Sequence, residues 1–233
     1  MSKKLYAAFV PLLAIAAFMV VPTIAQAETK QYGTCKKGVP HTANCPTSEG
    51  FVEFTDGVAV NVVSKGATNF VLVDEVTGAT ITCTTFSDEG TVTNVLVGGV
   101  SVGTSKLHLE FDHCTITAAP AFPALVGCSV KTPGAPSDTI KGNVTDEVKT
   151  ETTVEVAVVN GFELETDGTP APCPSGTKLG TVTGKATGTE AKGSNDLVFT
   201  NATGLFLGTD KANISGSDVT VTAAEPKEPV LIN

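Results

Sequence analysis

Lys106-Leu107-His108-Leu109-Glu110-Phe111-Asp112 alternates without a break, placing Leu107, Leu109 and Phe111 on one side and Lys106, His108, Glu110 and Asp112 on the other. Successive side chains of a strand point to opposite faces, so this period of two marks a half-buried strand of an antiparallel sheet. Working outward, segments 51–54 and 58–62 read as strands bent at Asp56-Gly57, and 70–73 with 79–83 as a hairpin turned at Glu75–Gly78. Further strands are expected at 125–130, 144–148, 152–159, 162–165, 181–189, 197–200, 204–207 and 219–222, separated by turns rich in Gly, Asp and Asn. No stretch carries the 3.6-residue apolar stripe that a crossover helix would need. The chain therefore reads as all-β, an antiparallel β-sandwich or barrel-like sheet protein with disulfides. One domain is expected over 51–222, preceded by a Cys-clipped polar segment at 28–50 and followed by an extended or mobile tail at 223–233.

The 233 residues carry 15 basic and 24 acidic side chains, a formal charge of −9. Every basic residue is Lys. An acidic chain without Arg lacks the phosphate-neutralising footprint of a nucleic-acid binder, so no nucleic acid is expected as a partner. At the N-terminus, Ser2-Lys3-Lys4 precedes an apolar run from Leu5 to Val21, then Pro22 and Ala25-Gln26-Ala27. Charge, apolar run and A-x-A in that order read as a secretory signal cleaved after Ala27. Cleavage removes Lys3 and Lys4 and no acid, taking the charge from −9 to −11. No second run of membrane-spanning length follows, so the product is expected to be secreted, with no membrane span.

Cys35, Cys45, Cys83, Cys114, Cys128 and Cys173 make an even count in a chain with an export signal, which points to three disulfides. Six cysteines allow fifteen pairings, and the preferred set is Cys35–Cys45, Cys83–Cys114 and Cys128–Cys173. Cys83 and Cys114 each end an expected strand, while the first pair closes a short polar loop with little apolar content. On a chain-entropy basis the closures contribute about 3 kcal/mol for the shortest loop and about 4 for the others. A zinc site would want close C-x-x-C or C-x-x-H pairs, and the chain has none.

Gly99-Val100-Ser101-Val102-Gly103 matches G-x-S-x-G, but a nucleophile elbow needs a helix after the serine, and 104–111 reads as a strand. His108, Glu110 and Asp112 share one strand face. With a distant histidine they would imitate a two-His-one-carboxylate metal triad, for which only His41 remains once His113 points the other way. A solvated outer strand face accounts for the same residues. The acidic pairs Asp74-Glu75, Asp88-Glu89 and Asp146-Glu147, with Asp167-Gly168, read as solvated turns, since no EF-hand loop fixes a calcium ligand set. After cleavage Tyr32 is the one remaining Tyr and there is no Trp, a poor endowment for a carbohydrate platform.

The succession Ala79–Cys83, Leu107–Thr115, Val126-Gly127-Cys128 and Cys173-Pro174 before Gly180–Gly184 resembles a broad group of uncharacterised secreted bacterial β-rich proteins. The resemblance spans about Ala79 to Thr200 and rests on cysteine order and strand pattern. It implies a bacterial extracytoplasmic origin and an all-β fold, and it brings no activity or cofactor with it. The sequence therefore leads to a non-enzymatic extracellular or cell-surface protein with a structural or binding role, an unidentified extracellular partner and no cofactor. The alternative is a secreted hydrolase or metal-binding enzyme using Ser101 or a His108/Glu110 site.

Overall fold

The computed structural model describes residues 30–35, 51–190, 194–225 and 227–232. The signal segment, His41 and Cys45 lie outside the described residues, and with Cys45 the expected Cys35–Cys45 pair.

Two short strands, β1 (Tyr32–Cys35) and β2 (Phe51–Glu53), open the fold. β3 (Val60–Gly66) and β4 (Phe70–Asp74) then run end to end beside β5 (Thr80–Val97), which turns at Gly98-Gly99 into β6 (Val100–Ala118). β7 (Val130–Lys131) and β8 (Ile140–Thr150) make the next stave, and β9 (Thr153–Val158) with β10 (Phe162–Asp167) the one after. β11 (Ser175–Glu190), β12 (Asp196–Leu207) and β13 (Asp210–Thr222) complete an antiparallel meander. β14 (Val230–Ile232) leaves it to pair with β1.

The meander closes on itself. β13 pairs with both β3 and β4, and β12 pairs with both β11 and β13, so the eleven strands form a ring of eight staves. Following register partners from Val62 through Gly90, Leu107, Val144 and Val158, then Gly184, Leu205 and Ala212, ends at Asp74. That is about twelve residues along the stave where the path began, a stagger that tilts the strands; an eight-strand barrel is just wide enough to fill with side chains or hold one small ligand. The strands approach closely along the way: a Cβ at Gly90 would lie 2.1 Å from the Lys106 carbonyl oxygen.

Of the two architectures left open by the sequence, the structure is the barrel. Leu109 and Phe111 point inward while Lys106 and His108 lie exposed on the outer face, as the alternation requires. A membrane barrel shows the reverse, with an apolar band outside and a polar lumen. No helix among the described residues is long and apolar enough to cross a membrane. In mid-barrel the rings of Phe70, Phe86 and Phe111 meet at centroid distances of 4.6, 5.3 and 4.8 Å, in tilted and edge-on arrangements.

Each end is closed differently. At one, β14, β1 and β2 form a small antiparallel plug, with Tyr32, Val230 and Ile232 packed on Val62, Val92, Val148 and Val154. Asn94, fully buried, holds it: its Oδ1 accepts from Tyr32 N at 2.8 Å, and its Nδ2 donates to the Tyr32 and Phe54 carbonyls at 2.8 and 2.9 Å. Gly103 leaves room for the Tyr32 ring, since a Cβ there would sit 2.7 Å from it. At the other end a 3-10 turn, Pro123–Leu125, and the proline-rich 169–174 loop are tied by Cys128–Cys173, with Cα atoms 5.6 Å apart. Cys83 and Cys114 are direct register partners on β5 and β6, also disulfide-bonded. Both pairings are those expected from the sequence.

Three expectations change. Segment 125–130 is the end of the 3-10 turn and a mere start of β7, because Pro123 and the positive φ of 88° at Gly127 interrupt any longer strand. Segments 197–200 and 204–207 are one strand, joined through irregular register near Asn201 and Gly204. The expected tail contains β14, whose three residues are buried. Asn94→Ala removes the side-chain partner of Tyr32 N and of the Phe54 carbonyl, while the Tyr32 carbonyl still accepts from Phe54 N at 3.1 Å; we expect a loss of about 3 kcal/mol in urea unfolding and faster proteolysis near Tyr32.

Candidate functional site: the barrel interior

Eight staves leave more room than the side chains fill. The interior holds a cavity of about 130 Å³. Its wall is mostly apolar, with Phe86, Phe111, Phe199, Val144 and Ala186 among the lining side chains. Toward the plug the wall changes character. Asp88 on β5, Asp146 on β8, Glu190 on β11 and Asp218 on β13 all occupy inward positions on the lining, with 5–7% of their surface exposed. Among the described residues no Lys or His lines the cavity.

Each carboxyl has little to offset its burial. Asp88 Oδ1 and Asp146 Oδ1 have no hydrogen-bond partner. Burial pushes Asp88 up to about 6, with hydrogen bonds from Ser64 opposing the rise. Burial takes Asp146 to about 7 against a hydrogen bond from Ser105, and the charge of Asp88 adds to the rise. Glu190 reaches about 8 by burial; Ile232 N donates to its Oε1 at 3.2 Å and counteracts this, while the charge of Asp196 reinforces it. Asp218 is raised well above the carboxylate range, first by burial and then by the charges of Asp88, Asp146, Glu190 and Asp196. The Tyr32 hydroxyl is likewise driven up, by burial and then by Asp146, Glu190, Asp218 and Asp88. An unpaired buried carboxylate is costly, so each group holds its proton or needs a cation.

The residues singled out from the sequence do not converge. Ser101 sits near the tip of the β5–β6 hairpin, its Oγ donating to Asp56 Oδ1 at 2.6 Å, and strand continues on its C-terminal side where an elbow would need a helix. His108 and Glu110 lie on the outer face: His108 Nδ1 is 3.0 Å from Asn143 Oδ1, and Glu110 pairs with Lys141 at 2.8 Å. Seven residues of strand, roughly 23 Å, separate Ser101 from His108. Among the described residues no group of three or more His, Cys, Asp or Glu side chains is placed to hold a metal ion.

The acidic pairs divide. Asp74 is a turn residue, accepting from Val76 N at 2.8 Å and from the Thr77 hydroxyl at 2.7 Å, which with Thr77 N lowers its pKa against the opposing effect of burial. Asp167 likewise accepts from Thr169 N at 2.8 Å. Asp88 and Asp146, read as solvated turns, stand instead in mid-strand facing inward. The missed signal was parity: Asp146 shares a strand face with Val144 and Val148, and Asp88 with Phe86 and Val92. Against known protein families, curated proteins and solved structures, the chain matches none.

A carboxyl with a raised folded pKa binds its proton more tightly folded than unfolded. The stability it contributes is complete below about pH 4 and is lost as pH rises through its folded value. With values of about 6, 7 and 8 at Asp88, Asp146 and Glu190, the loss begins above about pH 4 and is complete near pH 8. It should be on the order of 5 kcal/mol, seen as a falling urea midpoint. Asp146→Asn should flatten that slope and exceed the wild type in stability at pH 9.

Proposed function

We propose that the mature chain is an exported, non-enzymatic binding protein whose barrel interior takes one small, mainly apolar ligand. The observation that carries this reading is the interior cavity of about 130 Å³ walled by aromatic and aliphatic side chains. A cavity of about 150 Å³ with similar walls accepts a molecule the size of benzene. Export is supported by the N-terminal charge, apolar run and A-x-A order, and by two disulfides that suit an oxidising compartment. A bacterial extracytoplasmic setting belongs to the same reading. The hydrolase alternative has its residues spread along the outer surface with no shared cleft.

Toluene and benzyl alcohol, titrated into the full mature chain and followed by methyl NMR, should bind saturably and shift the inward Val and Leu resonances. Ala186→Leu, which fills part of the space, should weaken both at least tenfold while circular dichroism stays unchanged. Absence of saturable binding would remove the reading. Hydrolysis of activated esters should stay at background and be unaltered by Ser101→Ala or His108→Ala. Protein recovered from the exported fraction should begin at Glu28 by mass.

A further inference from the structure

The aromatic wall accounts for an apolar ligand but leaves the acidic side of the cavity unexplained. Asp88 Oδ1 and Asp146 Oδ1 are buried without a partner, on residues 6% and 7% exposed, and both side chains line the cavity. Among the described residues the lining contains no cationic side chain to answer them. We propose that the ligand is a small primary amine, its apolar body against Phe86 and Phe111 and its ammonium group paired with Asp88 and Asp146. This rests on the binding reading above and adds the charge of the ligand to it.

Three considerations favour an ammonium group over other cations. A divalent metal wants several oxygens converging on one point, and these carboxyls do not converge in that way. A guanidinium presents a planar fork suited to both oxygens of one carboxylate, whereas the unpartnered acceptors here come from two different strands. An ammonium has three donors that rotate to reach separate acceptors. The hydroxyl of Thr220, which also lines the cavity and lies 2.8 Å from Ser64 Oγ, adds an acceptor on that side. Phe86 and Phe111 line the same cavity, and their rings suit a hydrocarbon body.

Desolvation that is costly for an isolated carboxylate becomes attraction once a cation shares the site. The groups facing the cavity are Asp88, Asp146, Glu190 and Asp218, with Tyr32 above and Asp196 nearby; all are acidic. An amine entering at pH 6 therefore displaces protons from carboxyls that hold them, and its affinity rises from pH 5.5 to 8.

Isothermal titration of the full mature chain at pH 8 with benzylamine and with benzyl alcohol, its neutral near-isostere, tests this. Benzylamine should bind at least tenfold more tightly, and that advantage should vanish at pH 5.5. It should also vanish in the Asp88→Asn/Asp146→Asn double variant, which should still bind benzyl alcohol, a result that also shows the variant is folded. In the wild type at pH 6, the heat of benzylamine binding should change with the ionisation enthalpy of the buffer, reporting proton release. Equal affinity for the two probes, or a preference that survives in the double variant, overturns the amine proposal and leaves the binding reading standing. No proton release at pH 6 also overturns it. If neither probe binds the wild type, both proposals fall together.

Discussion

Closure of the sheet through β13 onto the β3–β4 stave is the constraint from which the other features follow. An open sheet lets a polar inward residue lean toward an edge and find water. A ring removes that escape, and every inward side chain must be packed, hydrogen-bonded or held in its neutral form. The apolar rows meet the requirement by packing around Phe70, Phe86 and Phe111. The acidic row meets it by holding protons well above the pH at which free carboxyls lose them. Cavity and raised pKa values are thus two results of one geometric fact.

The ends show how the ring is kept shut. At the acidic end the seal is polar and exact in its pairing: one amide side chain, Asn94, satisfies three backbone groups of the plug, and Glu190 accepts from Ile232 N. At the opposite end the seal is covalent, through Cys128–Cys173. The Cys83–Cys114 bond has a different task, since it joins register partners of the longest hairpin. A slip of one residue there would exchange the inward and outward rows.

Much of this was legible in the residues. The 106–112 alternation assigned the correct faces of β6, and Cys83 and Cys114 pair as expected, although both lie inside β5 and β6 rather than at the strand ends on which that pairing was based. Strand length was not legible, because inward Asp88 and Gly90 interrupt the hydrophobic pattern of β5 and imitate a turn. Those same residues carry the interior chemistry, so the feature that hid the strand also hid the site. Proximity across the ring was out of reach for a different reason: Asp88, Asp146, Glu190 and Asp218 come from four strands far apart in the chain. Only closure brings them together. The conspicuous serine and histidine motifs belong to the outer surface and the hairpin tip.

A sheet that bites its own tail keeps little unsatisfied margin. Among the described residues each stave of the ring has a neighbouring strand on both sides, which leaves little edge for another polypeptide to extend, except at the β5–β6 tip, where Val95–Val97 and Val100–Ser101 pair with each other alone. Among the described residues, a free flank of this kind is offered by the plug, where β2 pairs with β1 on one side and is three residues long. Encounters with other macromolecules must therefore be written in side chains over most of the exterior, and the self-association that troubles open β-proteins has little purchase here.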